Sequence, residues 1–233
     1  MIPLFKKVKN FTITYLNKEE LKILEKEIFS NEIYKIVINS KKPVILDLGS
    51  HIGLSILYFK TIYPNSTIIG FEPNPNIFPI LEENIVMNNV TGVTLHNIAL
   101  DKKEGRKDFY IDSSGNNAFS TAGFTKDAWN KKQSTKLIQV SVKKASTYVL
   151  DKDLIDLMKM DIEGAELNVL EELDTSKSLD RVKNIILEYH PIRKNGLKKI
   201  IRILAKNGFK VSQREGIDGK DDKLILVVGE KCS

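Results

Sequence analysis

Carboxylates recur at the ends of short apolar runs in this chain. Val44-Ile45-Leu46 leads into Asp47, Thr67-Ile68-Ile69-Gly70-Phe71 into Glu72, and the segment 155–160 into Asp161. Ile185-Ile186-Leu187 leads into Glu188, Tyr189 and His190. Gly49 and Gly53 follow Asp47, and an apolar-periodic segment begins at Leu54. That order describes a buried strand, a tight turn and a helix N-terminus. The glycines let the backbone turn sharply and come close to a ligand.

The turn is not the G-x-G-x-x-G loop whose bare amides cradle a pyrophosphate. Asp47 at its mouth would repel phosphate and suits a ligand with a cationic amino group. S-adenosylmethionine (SAM), with its adenosine, ammonium and sulfonium, has that chemistry. Glu72 lies roughly 20 residues past the glycines, where a doubly wound nucleotide fold places the acid that bonds ribose hydroxyls. Asp47 alone also fits an ordinary strand-ending turn. The pair of acids at this spacing points to a nucleoside site.

Elements that would position these groups follow from the pattern. Residues 18–38 are expected to be helical, with Leu21, Leu24, Ile28 and Ile36 on one face, so residues 1–40 form a helical extension before a 41–233 domain. From Pro43 onward strands (43–48, 67–71, 92–98, 155–160, 184–189) alternate with helices (53–62, 75–88, 164–173, 195–206). Segments 107–111 and 137–143 also read as strands, flanking a polar stretch whose residues 112–136 suit a substrate lid. Two closing strands, 208–211 and 224–228, have no helix between them, which implies antiparallel pairing. The expected fold is α/β: a doubly wound, Rossmann-like seven-stranded sheet in three αβα layers, with an antiparallel C-terminal strand.

Ligands of open α/β sheets bind at the carboxyl ends of the strands. Those ends carry Asp47, Gly49, Ser50 and His51; Glu72, Pro73 and Asn74; Asn97, Ala99 and Leu100; Asp161, Glu163 and Gly164; and Glu188 and His190. Glu163 and Glu166 have a simple explanation as acids at a helix N-terminus, and it suffices for Glu166. Asp161 caps its strand at the ligand edge and is expected near the methionyl end of SAM or the acceptor hydroxyl. His190 is the candidate general base, since an imidazole of ordinary pKa about 6.5 accepts a proton at neutral pH, with Glu188 able to orient it. His51 would shape the cofactor pocket, and His96 reads as a packing residue.

Composition sets outer bounds. The 233 residues suit one domain, and 42% hydrophobic with 28% charged residues is globular. The single cysteine, Cys232, rules out a disulfide framework or cysteine zinc site and fits a reducing compartment. No signal-peptide core or membrane-length apolar run is present, so a cytoplasmic location is expected. The net charge of +6 is lysine-rich and spread along the chain, which describes a solvated surface or attraction to an anionic partner such as RNA.

These motifs resemble the FkbM family of SAM-dependent methyltransferases. The resemblance rests on Asp47-Leu48-Gly49-Ser50-His51-Ile52-Gly53, Phe71-Glu72-Pro73-Asn74-Pro75, Asn97-Ile98-Ala99-Leu100 with Gly105, Lys159-Met160-Asp161-Ile162-Glu163-Gly164-Ala165-Glu166, and Glu188-Tyr189-His190. The run around Asp161 is the distinguishing one. The resemblance implies methyl transfer to a hydroxyl of a sugar, glycan or secondary metabolite. It implies that Asp47, Gly49 and Gly53 hold the methionyl part, Glu72 the ribose, and Asn97 to Leu100 the adenine, with Asp161 and Glu163 facing the reaction centre. No metal is expected, although acids at 161, 163 and 188 could gather Mg²⁺. Two rivals remain. Glu72-Pro73-Asn74-Pro75 with Asn84, Asn88 and Asn89 resembles the second motif of some tRNA methyltransferases, and a non-catalytic SAM-binding module is the other. The sequence does not specify an oligomeric state.

Overall fold

The computed structural model describes residues 3–113, 122–124, 135–191, 194–215 and 225–231. Its centre is a seven-stranded sheet. In chain order the strands are β3 (Val44–Leu48), β4 (Thr67–Phe71), β5 (Val93–His96), β10 (Leu157–Met160), β11 (Asn184–Tyr189), β12 (Phe209–Glu215) and β13 (Ile225–Lys231). They lie in the spatial order β12-β13-β11-β10-β3-β4-β5. β5, β4, β3, β10 and β11 are parallel, and β13 runs antiparallel to both β11 and β12.

Alternation along each strand makes the three layers. Ile45, Ile68, Leu157, Ile186 and Val228 face one core with α2 (Leu54–Ile62) and α3 (Phe78–Met87). Leu46, Ile69, Met158, Ile185 and Val227 face the other with α5 (Glu166–Thr175) and α6 (Gly196–Lys206). A short α4 (Ser146–Val149) joins the second face. Register aligns the strand ends: Leu48 stands beside both Phe71 and Met160. The turns after them therefore open at one level, which is where the site forms.

Two features depart from the expectations. The N-terminal extension is not helical throughout. It begins with a hairpin of β1 (Leu4–Val8) and β2 (Phe11–Tyr15), followed by α1 (Lys18–Leu24), which widens into a π-turn over residues 25–30. Aromatic and β-branched alternation in Phe11-Thr12-Ile13-Thr14-Tyr15 favours a strand, and Lys9 takes the left-handed turn conformation at φ 52°. Residues 31–43 then form an irregular strap. The second departure is a separate four-stranded sheet, in the order β6-β9-β7-β8. It joins β6 (Ala99–Leu100), β7 (Gly105–Asp112), β8 (Ala122–Gly123) and β9 (Thr135–Lys143). The expected strand over 92–98 therefore breaks after His96, and its continuation enters this second sheet. Most of the proposed lid, including Asn116, Asn117, Ser120 and Trp129, and also Cys232, lie outside the described residues.

The hairpin is held by side chains of α3. Asn84 accepts from Thr14 N (2.7 Å) and donates to Thr14 O (3.0 Å) and Ile52 O (2.8 Å). One turn later, Asn88 bonds Thr12 N (2.9 Å) and Thr12 O (2.8 Å). Both amides act as a surrogate neighbouring strand, so the asparagines in the stretch that resembles a tRNA methyltransferase motif have structural partners here. Asn84 is fully buried. Replacing it with Ala strands three buried backbone groups, and Asn84→Ala is expected to lower stability by about 2–4 kcal/mol in urea titration.

Candidate active site

The turn after β3 is fastened to β4. Gly49 N and Ser50 N both donate to Phe71 O, at 3.0 and 2.9 Å. Ser50 Oγ accepts from Phe71 N (3.1 Å) and donates to Asp47 O (3.0 Å). Gly49 sits at φ 81°, and a Cβ there would lie 1.8 Å from the Asp161 carbonyl oxygen. Glycine is thus required for the close approach of the two strand-end turns. Gly53 has φ 93°, and its missing Cβ leaves room for Leu81.

Behind this turn lies a residue that the sequence reading quoted but gave no role, Lys159. It stands opposite Asp47 in register and is 2% exposed. Its ammonium donates to Gly49 O (2.5 Å) and lies 3.3 Å from Asp47 Oδ1 and 3.9 Å from Asp161 Oδ2. Burial alone would lower its pKa, but the Asp47 and Asp161 carboxylates outweigh it and the net direction is upward. Ser55 Oγ donates to the other Asp47 oxygen at 2.7 Å. A lysine inside Leu157-Met158-Lys159-Met160 was the available signal, because a charge in a fully buried strand demands a partner.

The Asp47 side chain is fully buried, lines neither cavity described below and faces Lys159 and Ser55, so it braces the turn. Asp161, in contrast, lines both cavities.

Glu72 is held by the backbone. Oε2 accepts from His51 N (2.9 Å) and Oε1 from Asn74 N (2.8 Å). Burial raises its pKa, partly opposed by His51 and these amides. His51 takes φ 50°, and its Nε2, 3.6 Å from Glu20 Oε1, makes no hydrogen bond. Asn97 Nδ2 donates to Glu72 O at 2.8 Å, so Asn97 steadies the acid from outside the cavity. Asn74 also lines neither cavity and instead starts the α3 turn, its carbonyl accepting from Ile77 N and Phe78 N. His96 stacks on Phe71 with centroids 5.3 Å apart, a packing role.

His190 sits among three acids. Nδ1 is 2.9 Å from Glu166 Oε1, while Nε2 is 3.3 Å from Glu163 Oε2 and 3.8 Å from Glu188 Oε1. Glu166 also accepts from Gly164 N at 2.9 Å. It therefore orients the ring, correcting the view that the helix dipole explains it and that Glu188 is the orienter. Glu163 adopts φ 50°, a left-handed conformation unusual for a glutamate, and Gly164 follows at φ 94°. Burial opposes charge on His190, but Glu163, the bond to Glu166 and Asp161 win, and its pKa lies well above the usual imidazole range. Burial, with repulsion from Asp161, pushes Glu188 well above the carboxylate range despite His190. Both shifts favour the protonated forms, an imidazolium at His190 and a neutral carboxyl at Glu188. Ligand atoms of Asp161, Glu163 and His190 lie within 4.8 Å of one another, so this trio is also where a divalent cation would fit.

Two cavities that share lining residues mark the site. The larger, about 130 Å³, is walled by Gly49, His51, Glu72 and Pro73, by Ala99 and Leu100, and by Asp161 and Glu163. Phe109 and Phe124 of the second sheet close its apolar end, and Glu20 and Leu24 of α1 cover it. The smaller, about 20 Å³, shares Gly49, His51 and Asp161 and adds Ser50, Ser55, Lys159 and Tyr34. Contributions from α1 and the strap were not visible in sequence, since these residues lie far from any motif. Gly53 and His190 stand outside both linings.

Residues 47–211 match the profile of the methyltransferase FkbM domain. The chain belongs to the FkbM methyltransferase family. It is 29% identical to "Methyltransferase 1" of Beauveria bassiana, covering 92% of this chain and 91% of that one. It is 25% identical to 31-O-demethyl-FK506 methyltransferase FkbM of Streptomyces tacrolimicus, over 86% of each. With the 2-O-methyltransferase NoeI of Sinorhizobium fredii it shares 26% identity over 63% of each. Among solved structures, the Methanococcus jannaschii fibrillarin pre-rRNA processing protein superposes with TM-score 0.53 at 15% identity, over 98% of this chain and 82% of that one. M. jannaschii TYW2 in complex with AdoMet gives 0.50 at 12% identity, over 99% and 87%. The fold is that of Rossmann-like SAM methyltransferases, and this FkbM-family chain is a SAM-dependent methyltransferase. Among the described residues no helix is long and apolar enough to cross a membrane.

The charge on His190 has two measurable consequences. Its raised pKa adds stability that is present below pH about 6.5 and lost as pH rises through the folded-state value. NMR titration of the His190 ring is expected to show a midpoint well above about 6.5, moving down in Glu166→Gln. A midpoint unmoved by that substitution would separate the ring from Glu166.

Proposed function

We propose that this enzyme methylates a hydroxyl oxygen of an uncharged acceptor, a sugar, glycan or secondary metabolite, by in-line transfer from SAM. The observation that carries the reading is the charge of the cavity. Among the described lining residues of the larger cavity, Glu20, Glu72, Asp161 and Glu163 are acids and none is Lys or Arg. Such walls attract a sulfonium and an ammonium and repel a phosphate-bearing acceptor. Among the relatives, the 31-O-demethyl-FK506 methyltransferase FkbM and the 2-O-methyltransferase NoeI agree with a hydroxyl acceptor.

The residues fit SAM. Glu72, fixed by two backbone amides, keeps lone pairs for ribose hydroxyls. Ala99, Leu100 and Pro73 provide an apolar wall for adenine, with Asn97 behind Glu72. Asp161 would hold the methionyl ammonium, with Gly49 and Ser50 lining the same cavity. When bound, SAM supplies an electrophilic methyl group on sulfur. The chain's own tasks are alignment and exclusion of water. Its acid–base device is the Glu163–His190–Glu166 array. Glu166 sets the ring, and a proton from the acceptor is taken up by Glu163 or by His190 once the ring is unprotonated. His190→Ala is expected to cost roughly 10²–10⁴-fold in turnover while SAM affinity changes little.

RNA methylation is the alternative, motivated by the solved rRNA-methylase and pre-rRNA-processing neighbours. The structural role of Asn84 and Asn88 and the acidic cavity weigh against it. Incubation with methyl-labelled SAM and fractionated cell extract decides between them. Label in a nuclease-resistant glycan or small-molecule pool is the expected result, and label lost to nuclease would sink the reading. Activity is expected to survive exhaustive EDTA treatment. Loss of activity, restored by Mg²⁺, would instead place a cation at Asp161, Glu163 and His190.

A further inference from the structure

We infer that Tyr34 is a positioning residue of the active site, holding the Asp161 carboxylate in place from the N-terminal strap. The inference rests on the assignment of Asp161 to the cofactor's ammonium. Tyr34 lies outside the segment matched by the family profile, 127 residues before Asp161. Its hydroxyl donates to Asp161 Oδ2 at 3.3 Å. The same oxygen is 3.9 Å from Lys159 Nζ, so a hydrogen bond and an ion pair converge on one carboxylate oxygen. The Tyr34 ring itself stands over that ammonium, 5.2 Å from nitrogen to centroid. Tyrosine, lysine and aspartate therefore form one connected unit at the wall of the smaller cavity.

The chemistry of the hydroxyl is suited to this task. Burial, reinforced by the Asp161 carboxylate, keeps the phenol pKa well above its ordinary value. The shift favours the neutral, donating phenol, and Asp161 receives a hydrogen bond without a second full positive charge. Packing alone would not require the oxygen. The ring lies 6.5 Å from that of Phe59, a contact that phenylalanine would keep.

The strap is pinned on both sides of Tyr34. Tyr58 Oη donates to Glu32 Oε1 at 3.4 Å. Tyr63 Oη donates to Ile36 O and accepts from Ile38 N at 3.1 Å. Arg214 donates to Lys35 O at 3.2 Å. Ile33 and Ile36 are buried on either side of Tyr34 while Val37 is 80% exposed, so the strap turns this stretch inward. These attachments fix where the hydroxyl points.

A double-mutant cycle on the full chain tests the inference. SAM affinity is measured for wild type, Tyr34→Phe, Asp161→Asn and the double variant, by calorimetry, or by ligand-observed NMR where binding is weak. Thermal melting runs alongside. Tyr34→Phe is expected to melt close to wild type and to bind SAM roughly 5-fold more weakly, the loss of one long hydrogen bond to a charged group. In the Asp161→Asn background the same change is expected to cost less than about 2-fold, because the partner charge is already gone. Equal losses in both backgrounds, or wild-type affinity in Tyr34→Phe, would overturn the role of Tyr34 alone. Failure of the wild-type chain to bind SAM would overturn the cofactor assignment beneath it, a different outcome.

Discussion

A buried ammonium ties this structure together at its strand ends. Lys159 has almost no contact with solvent, and taking such a charge from water costs several kcal/mol before any partner is counted. Asp47 and Asp161 offset that cost, and the Gly49 carbonyl completes the set. Removing one member of a buried pair typically costs about 3–5 kcal/mol, because the remaining charge is left uncompensated. The glycine turn, the neighbouring acid and the strap therefore depend on the same nitrogen atom. Packing reinforces the arrangement: the Asp161 carbonyl lies where any side chain at residue 49 would be.

Acids of identical chemistry acquire different tasks here through their surroundings. Asp47 is neutralised by a buried cation and supports the turn. Asp161 shares that cation but opens to both cavities. Glu72 is held by backbone amides, and Glu166 by an amide and an imidazole. Glu188, crowded by other carboxylates, favours its neutral form. Counting carboxylates along the sequence could not sort these roles, because the sorting comes from residues far apart in the chain.

What was legible followed from periodicity and local turn chemistry. The five parallel strands, the glycine turn and the level of the acids depend on alternation and on Gly49, Gly53 and Gly164, which neighbours in sequence decide. The closing strands were read as an antiparallel edge, and β13 indeed runs against both of its partners. The hairpin at Leu4–Tyr15 was missed because its stability comes from Asn84 and Asn88 on a helix some 70 residues later. Lys159 was given no role, although its cross-strand partner, Asp47, was itself a named candidate. His190 was named as the candidate general base, and its charge state depends on Glu163 and Glu166, brought against it by the β10–α5 turn. Tyr34 carries no local signal, since a tyrosine in an irregular segment looks like any other apolar anchor.

The asparagine pair on α3 also bears on how copies of this protein meet. A two-stranded ribbon has two outer edges, each a row of amides and carbonyls able to template another strand. On β2 the groups of Thr12 and Thr14 are already saturated by Asn88 and Asn84, so that edge has little to offer an incoming chain. The remaining edge belongs to β1, where Lys7 places a charge of the kind that discourages edge pairing, while Lys6 is paired with Glu25. The same amides that dock the hairpin thus also guard the ribbon against self-assembly.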